Sequence, residues 1–334
     1  MGKPPIDPVR WHAPPVDPLP EFGAAEITVV GVPGNAPEDI VVDADGQIWT
    51  GVDDGRVVRI SPETAQTTVV ADTGGRPLGL HVARDGRLLI CDSPRGLLAM
   101  DPSSGELEVL ADSVDGRPLR FCSNVTETAD GTIYFTESTS AFTYADYMAA
   151  LLEARGRGGL FRLDPGGAVQ TLLPGLYFAN GLTLTADGSA LVFAELQARR
   201  LSKYWLTGPN AGSVTPLATN LPGMPDNLST GANGRIWCAF VTPASPIADR
   251  LAKGSPLVRK LLWRLPSQLQ PKPESVVWAV AFDPDSGEAV AGLRTTHPDF
   301  SQVTGMVEAD GRLWMGSIGG AAVAWTPLSA LALQ

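Results

Sequence analysis

Apolar positions along this chain fall into short alternating runs, and the runs recur. The stretch Leu176 to Leu206, LYFANGLTLTADGSALVFAELQARRLSKYWL, holds one complete unit. Asn180-Gly181 leads into alternating Leu182 and Leu184, then the turn Asp187-Gly188, the apolar run Ala190 to Ala194 and a third run around Leu201 to Leu206. The pattern predicts strand, tight turn, strand, loop, strand. The turn recurs at Asp45-Gly46, Asp85-Gly86, Asp130-Gly131, Asn233-Gly234 and Asp310-Gly311, and the runs after the six turns are QIWTG, RLLICD, TIYFTE, SALVFAE, RIWCAF and RLWMGS. Six copies of a unit of roughly 40 to 77 residues match the period of propeller blades. The predicted fold is all-β, a six-bladed β-propeller, with an N-terminal arm at 1-22 and a single propeller domain over 23-334.

Strand side chains alternate, so a constant offset from each turn places residues on one face at one height. Seven residues before the six turns stand Glu38, Leu78, Ser123, Asn180, Asp226 and Val303. Their followers include Asp39, Asn124, Asn227 and Thr304. The first strand of a propeller blade lines the central channel. A channel ring of carboxylates and amide oxygens suits a hard cation such as calcium, which takes six to eight oxygen ligands. Asn and Asp also favour turns at strand starts without any metal, and that reading stays open for each residue alone. Glu38, Asn180 and Asp226 at one repeat phase favour the metal.

The motifs APEDIVVDADGQIWTG, RPLGLHVARDG, DGTIYFTEST with EARGRGGLFRLDP, FANGLTLTADG with RRLSKYWLTGPNAG, LPGMPDNLSTGANGRIWCAF and VTGMVEADGRLWMGS span nearly the whole chain. They resemble the gluconolactonase, regucalcin, paraoxonase and strictosidine synthase superfamily of six-bladed propellers, and are most similar to its strictosidine-synthase-like branch. The resemblance implies metal ligands at Glu38, Ser123, Asn180 and Asp226, with Asn227 following as in the paraoxonases. Where metal-dependent relatives read Asn-Asp, this chain reads Ser123-Asn124, and Asn124 is the alternative ligand. The paraoxonase catalytic His falls on Leu78. The synthase's catalytic Glu falls on Thr304, whose hydroxyl cannot do acid and base work near neutral pH.

Two insertions break the repeat. Thr139 to Gly158 reads as an amphipathic helix over Thr143 to Arg155, with a capping-box-like start at Thr143 and Asp146 and Tyr144, Tyr147, Met148, Leu151 and Leu152 on one face. Pro243 to Leu265 carries a second, basic and amphipathic, around Pro256 to Arg264. Both leave their blades on the side of the ring and are placed to form a lid; a membrane-surface role for the basic stretch is the lesser alternative. The proline-rich arm reads as extended and packed on the outside. Glu26 to Val30 reads as a strand that closes the ring against Ala321 to Trp325.

A net charge of -11 excludes nucleic acid as a partner, because such binding rests on neutralising phosphates. No apolar run is long enough to cross a bilayer. Cys91, Cys122 and Cys238 are odd in number and lie in strands, which argues for buried thiols in a reducing, cytoplasmic setting. His81 points off the channel phase, while His297, in TTHPDF, is the best histidine for proton transfer.

The expected activity is hydrolysis of a lactone or activated ester by one divalent cation, calcium before others, with Glu38 and Asn180 as ligands and Asp226 as ligand and general base. Leu78, Phe142, Tyr144, Tyr147 and Thr304 are expected to line the pocket for a small, fairly apolar substrate. A metal-independent condensing enzyme would need Asp299 in place of Thr304, and a non-catalytic small-molecule-binding propeller would need no metal.

Overall fold

The computed structural model describes residues 2–266 and 273–331. Six four-stranded antiparallel sheets form the blades of a β-propeller. Their innermost strands are Ile40–Val42, Pro77–Val82, Cys122–Glu127, Ala179–Leu184, Gly223–Thr230 and Val303–Ala309. In blades one to five the outermost strand is the fourth in sequence. In blade six it is Thr28–Gly31, pairing antiparallel with Ala322–Trp325, so the expected closure by the N-terminal strand is what holds the ring.

The recurrent turn works as its composition demands. In blades two, three and four the aspartates at 85, 130 and 187 each accept the backbone N–H two residues on, at 3.0 to 3.1 Å. The following glycines take left-handed φ values of 69° to 86°, which only glycine adopts freely. Blade six differs. There Asp310 and Gly311 both have positive φ, 48° and 72°, and Ala309 pairs directly with Arg312, a two-residue primed turn. The shorter hairpin moves the ring phase by one residue, so Thr304 rather than Val303 stands level with Glu38, Leu78, Ser123, Asn180 and Asp226.

With that correction the next positions alternate around the axis: Asp39, Gly79, Asn124, Gly181, Asn227, Gly305. A methyl group on Gly79 would stand 2.4 Å from Ser123 O, one on Gly181 2.4 Å from Asp226 O, and one on Gly305 2.3 Å from Asp39 Oδ1. Between these glycines, Asp39 Oδ2 accepts Leu80 N at 2.8 Å and Asn124 Oδ1 accepts Leu182 N at 3.2 Å, stitching each blade to the next.

Farther out, acids at the ends of second strands hold the loops that return to the axis. Asp92 accepts Arg76 N at 3.2 Å, Glu137 accepts Arg120 N at 2.9 Å and Glu195 accepts Tyr177 N at 2.9 Å. Aromatic and branched side chains fill the blades and the seams between them, with Trp49, Trp237, Trp278 and Trp314 buried.

The first insertion begins as a 3-10 turn, Tyr144–Asp146, and continues as helix α1, Tyr147–Glu153. The expected capping box does not form: the Thr143 side chain caps nothing, and Tyr144 N is held by Ser93 Oγ at 2.9 Å. The second insertion gives α2, Pro246–Lys253, and α3, Pro256–Arg264. Residues 2–14 of the arm lace these helices together instead of lying only along the blades' outer edges. Trp263 Nε1 donates to Pro4 O, Asp7 N to Glu153 Oε1, Val9 N to Glu153 O and Trp11 N to Ala252 O, all at 2.7 to 3.0 Å.

Replacing Gly79 by Ala forces the new methyl into the neighbouring strand's backbone, which side-chain motion cannot relieve. Chemical denaturation is expected to show a loss of about 2–4 kcal/mol. An unchanged midpoint would contradict so close an approach of the innermost strands.

Candidate functional site

The six innermost strands bring the ring residues to one end of the channel. Ser123 Oγ donates to Asn180 Oδ1 at 3.0 Å, and Asn180 Nδ2 donates to Asp226 Oδ1 at 2.5 Å. Across the axis, Asn227 Nδ2 donates to Glu38 Oε1 at 3.3 Å. All five side chains are buried. Asn124 stands beside them in sequence but spends its oxygen on the seam to blade four. Thr304 donates its hydroxyl to Glu38 O at 2.5 Å. His297 lies on the loop between Ala289–Thr295 and Val303–Ala309, where its Nδ1 accepts Asp299 N at 3.1 Å; no hydrogen bond joins it to the ring.

The electrostatics follow from placing acids together out of water. Burial pushes the Asp226 carboxyl up to about 8, against the Asn180 hydrogen bond that favours its charged form. Burial, then the charges of Asp226 and Asp39, raise Glu38 well above the usual carboxylate range, while Arg76 and Asn227 pull it back. Asp39 is pushed to about 7 by burial, countered by backbone bonds from Leu80 and Ile40. Glu38 Oε2 and Asn227 Oδ1 are buried without a hydrogen-bond partner. An unmet buried polar group costs about 1–3 kcal/mol. Asn227 is also where the stitching of Asp39 and Asn124 fails, since its oxygen binds no neighbouring strand.

Among the described residues no three His, Cys, Asp or Glu side chains cluster as metal ligands. A cation here would rest on Glu38 and Asp226 with the amide oxygens of Asn180 and Asn227. An oxygen-only set of that kind fits a hard divalent ion and does not suit zinc.

Above the ring lies a roof that joins both insertions to the channel. Leu78 packs in one apolar cluster with Phe142, with Ala149 and Ala150 of α1, with Trp263 of α3 and with Ile6 of the arm. Tyr144 and Tyr147 border it, their ring centroids 5.8 Å apart. Sequence reasoning passed over the layer two residues upstream of the ring: Ala36, Arg76, Phe121, Phe178, Met224 and Gln302. Phe121 meets Tyr144 and Phe178 edge-on at centroid distances of 5.7 and 5.5 Å, and Met224 borders the same cluster. Carrying the period-two phase one step farther toward the lid would have found this layer.

The cysteines are all free and buried, with Cys91 Sγ and Cys122 Sγ 3.0 Å apart at the seam between blades two and three. Burial raises the Cys91 thiol, which leaves it a poor nucleophile. No helix among the described residues is long and apolar enough to cross a membrane.

A ring of buried polar side chains thus lies beneath the helices of both insertions at one end of a six-bladed propeller. The chain belongs to the SMP-30/gluconolactonase/LRE-like family, whose sequence profile matches residues 37–248. Strictosidine synthase-like protein 4 of Arabidopsis thaliana is 31% identical over 300 residues, spanning 88% of this chain and 79% of the relative. Among solved structures, a gluconolactonase from Xanthomonas campestris superposes with a TM-score of 0.67 at 18% identity over 98% of each chain. A calcium-binding regucalcin from Agrobacterium tumefaciens gives 0.62 at 16% identity over 94% of this chain and 95% of its own. At these identities the superpositions establish the fold alone.

His81 supplies a test of burial in blade two, where it pairs with Leu89. Desolvation lowers its pKa to about 4. The unfolded chain therefore binds the proton first, and the neutral imidazole's contribution is present above about pH 6.5 and lost as pH falls toward 4. Thermal midpoints of the parent are expected to drop more steeply across that window than those of His81→Gln. Parallel curves would show that this imidazole is not desolvated.

Proposed function

We propose that the protein is a hydrolase of lactones or activated esters, working with one divalent cation, calcium before others, at the lidded end of the channel. The observation that carries this reading is the pair of unmet acceptors, Glu38 Oε2 and Asn227 Oδ1, beside Asp226 in a water-poor ring. Glu38, Asn180, Asp226 and Asn227 would hold the ion. Ser123 supports Asn180 through its hydroxyl, and Ser138 Oγ in turn lies 3.0 Å from Ser123 Oγ. When bound, such an ion polarises an acyl carbonyl and acidifies water.

The remaining work belongs to the side chains. Asp226 is the proton acceptor, a buried carboxylate whose charge is felt by Glu38 across the ring. Asn180 fixes the orientation of that carboxylate through its 2.5 Å bond to Oδ1. Leu78, Phe142, Tyr144 and Tyr147 exclude water and favour a substrate with an apolar portion. Three free thiols support a reducing, cytoplasmic setting.

Kinship with strictosidine synthase-like proteins raises the condensing reaction as a second reading. Thr304 weighs against it, because its hydroxyl is committed to Glu38 O, and Asp299 is exposed on its loop.

The test combines metal analysis with a panel of lactones and aryl esters, assayed with and without chelator. Asp226→Asn is expected to lower kcat by about 10² or more, the scale of a lost general base, with little change in thermal midpoint. Glu38→Gln is expected to weaken calcium binding by at least about tenfold. Full activity in Asp226→Asn, or turnover untouched by chelation, overturns the mechanism. No metal and no turnover would point to a binding propeller.

A further inference from the structure

Arg76 is the one charged side chain in the layer above the ring, and neither the fold nor the proposed hydrolysis has used its guanidinium. It belongs to the RPLGLHVARDG motif and immediately precedes the innermost strand of blade two. Only 5% of it is exposed. Nη2 donates to Ala36 O at 2.8 Å, and Cζ lies 4.8 Å from the centre of the Tyr144 ring. Nε and Nη1 have no hydrogen-bond partner among the described residues. Its charge reaches Glu38 and Tyr144, opposing part of the rise that burial gives both groups.

A structural role explains one nitrogen and the ring contact. It leaves the other two nitrogens unexplained, since a buried charge with unmet donors is costly unless something meets them. No acid forms a salt bridge with Arg76 among the described residues: Asp92 takes only its backbone N–H, Glu38 feels its charge without an ion-pair contact, and the other members of the layer are Ala36, Phe121, Phe178, Met224 and Gln302. An arginine anchored by one nitrogen and an aromatic ring still presents a planar fork of N–H groups, which suits a planar oxyanion. Desolvation pushes the Tyr144 hydroxyl up to about 12, so it stays protonated and able to donate.

We propose that Arg76 and Tyr144 form an anion subsite in the roof of the channel, which takes the carboxylate of a small organic acid whose apolar part rests against Phe121, Phe142 and Phe178. This deepens the hydrolase reading and rests on it for the choice of ligand, because cleavage of a lactone or ester yields a carboxylic acid. The subsite would hold the acid product, or a carboxylate carried by the substrate itself. The location of the guanidinium between the ring and the lid lets it do so beside the reacting acyl group.

The experiment measures binding, so it is independent of turnover. Phenylacetate and its uncharged isostere phenylacetamide are titrated calorimetrically into the full-length protein, with calcium and again after chelation. The parent is expected to prefer the acid in both conditions. Arg76→Met keeps the apolar stem and is expected to lose at least about tenfold in phenylacetate affinity, the size of a hydrogen bond to a charged group, with phenylacetamide unchanged. Arg76→Lys keeps the charge but not the planar fork, so its loss should be intermediate; it also serves if Arg76→Met does not fold. Tyr144→Phe should lose less than Arg76→Met. Equal affinity for acid and amide in the parent, or Arg76 variants that bind the acid as the parent does, overturns the subsite. Arg76-dependent acid binding in a protein that hydrolyses nothing would keep the subsite and reject the hydrolase.

Discussion

Six strands converging on one axis leave too little room for six side chains, and that crowding governs this molecule. Glycines at 79, 181 and 305 give way so that Asp39, Asn124 and Asn227 can stand between them. Two of those three polar groups tie one blade to the next. The third, Asn227, leaves its oxygen unmet and turns its amide to Glu38. The place where the stitching lapses is the place where the carboxylates gather. Inter-blade bonding and the gathering of acids thus share one ring of positions.

The repeat was legible because its turn is dictated by backbone sterics: a left-handed residue after an Asx turn admits little but glycine. The ring phase was legible because strands alternate with period two. Blade six was misread by one residue because Asp310-Gly311 makes a shorter turn from the same two residue types, and spacing alone cannot distinguish them. The layer of Arg76, Phe121 and Phe178 was hidden for a different reason. These three residues stand just before the strands that hold the ring, and the polar pattern that marks the ring does not extend to their layer, of which all but Arg76 and Gln302 are apolar.

Other features left little trace in the residue pattern. The arm is held largely through backbone groups, among them Pro4 O, Asp7 N, Val9 N and Trp11 N, and backbone donors carry no side-chain signature. The acids at 92, 137 and 195 were visible at the ends of apolar runs. Their use, however, depends on the loop that enters the same blade, 16 to 18 residues earlier, passing within reach. Thr143 and Asp146 had the composition of a helix cap, but Ser93 holds the Tyr144 N–H instead. In each case a contact distant in sequence decided the outcome.

The closing strand has a consequence for how the chain folds. Thr28–Gly31 pairs with residues close to three hundred positions later, so it must wait, with its hydrogen-bonding edge bare, until all six blades' inner strands have been made. Five blades can assemble from neighbouring segments as they emerge, whereas the sixth requires this strand to meet residues made nearly three hundred positions after it. Contacts of such long sequence separation form late and slow folding. A bare strand edge in that interval invites pairing with another chain. At only four residues, this one offers a short template.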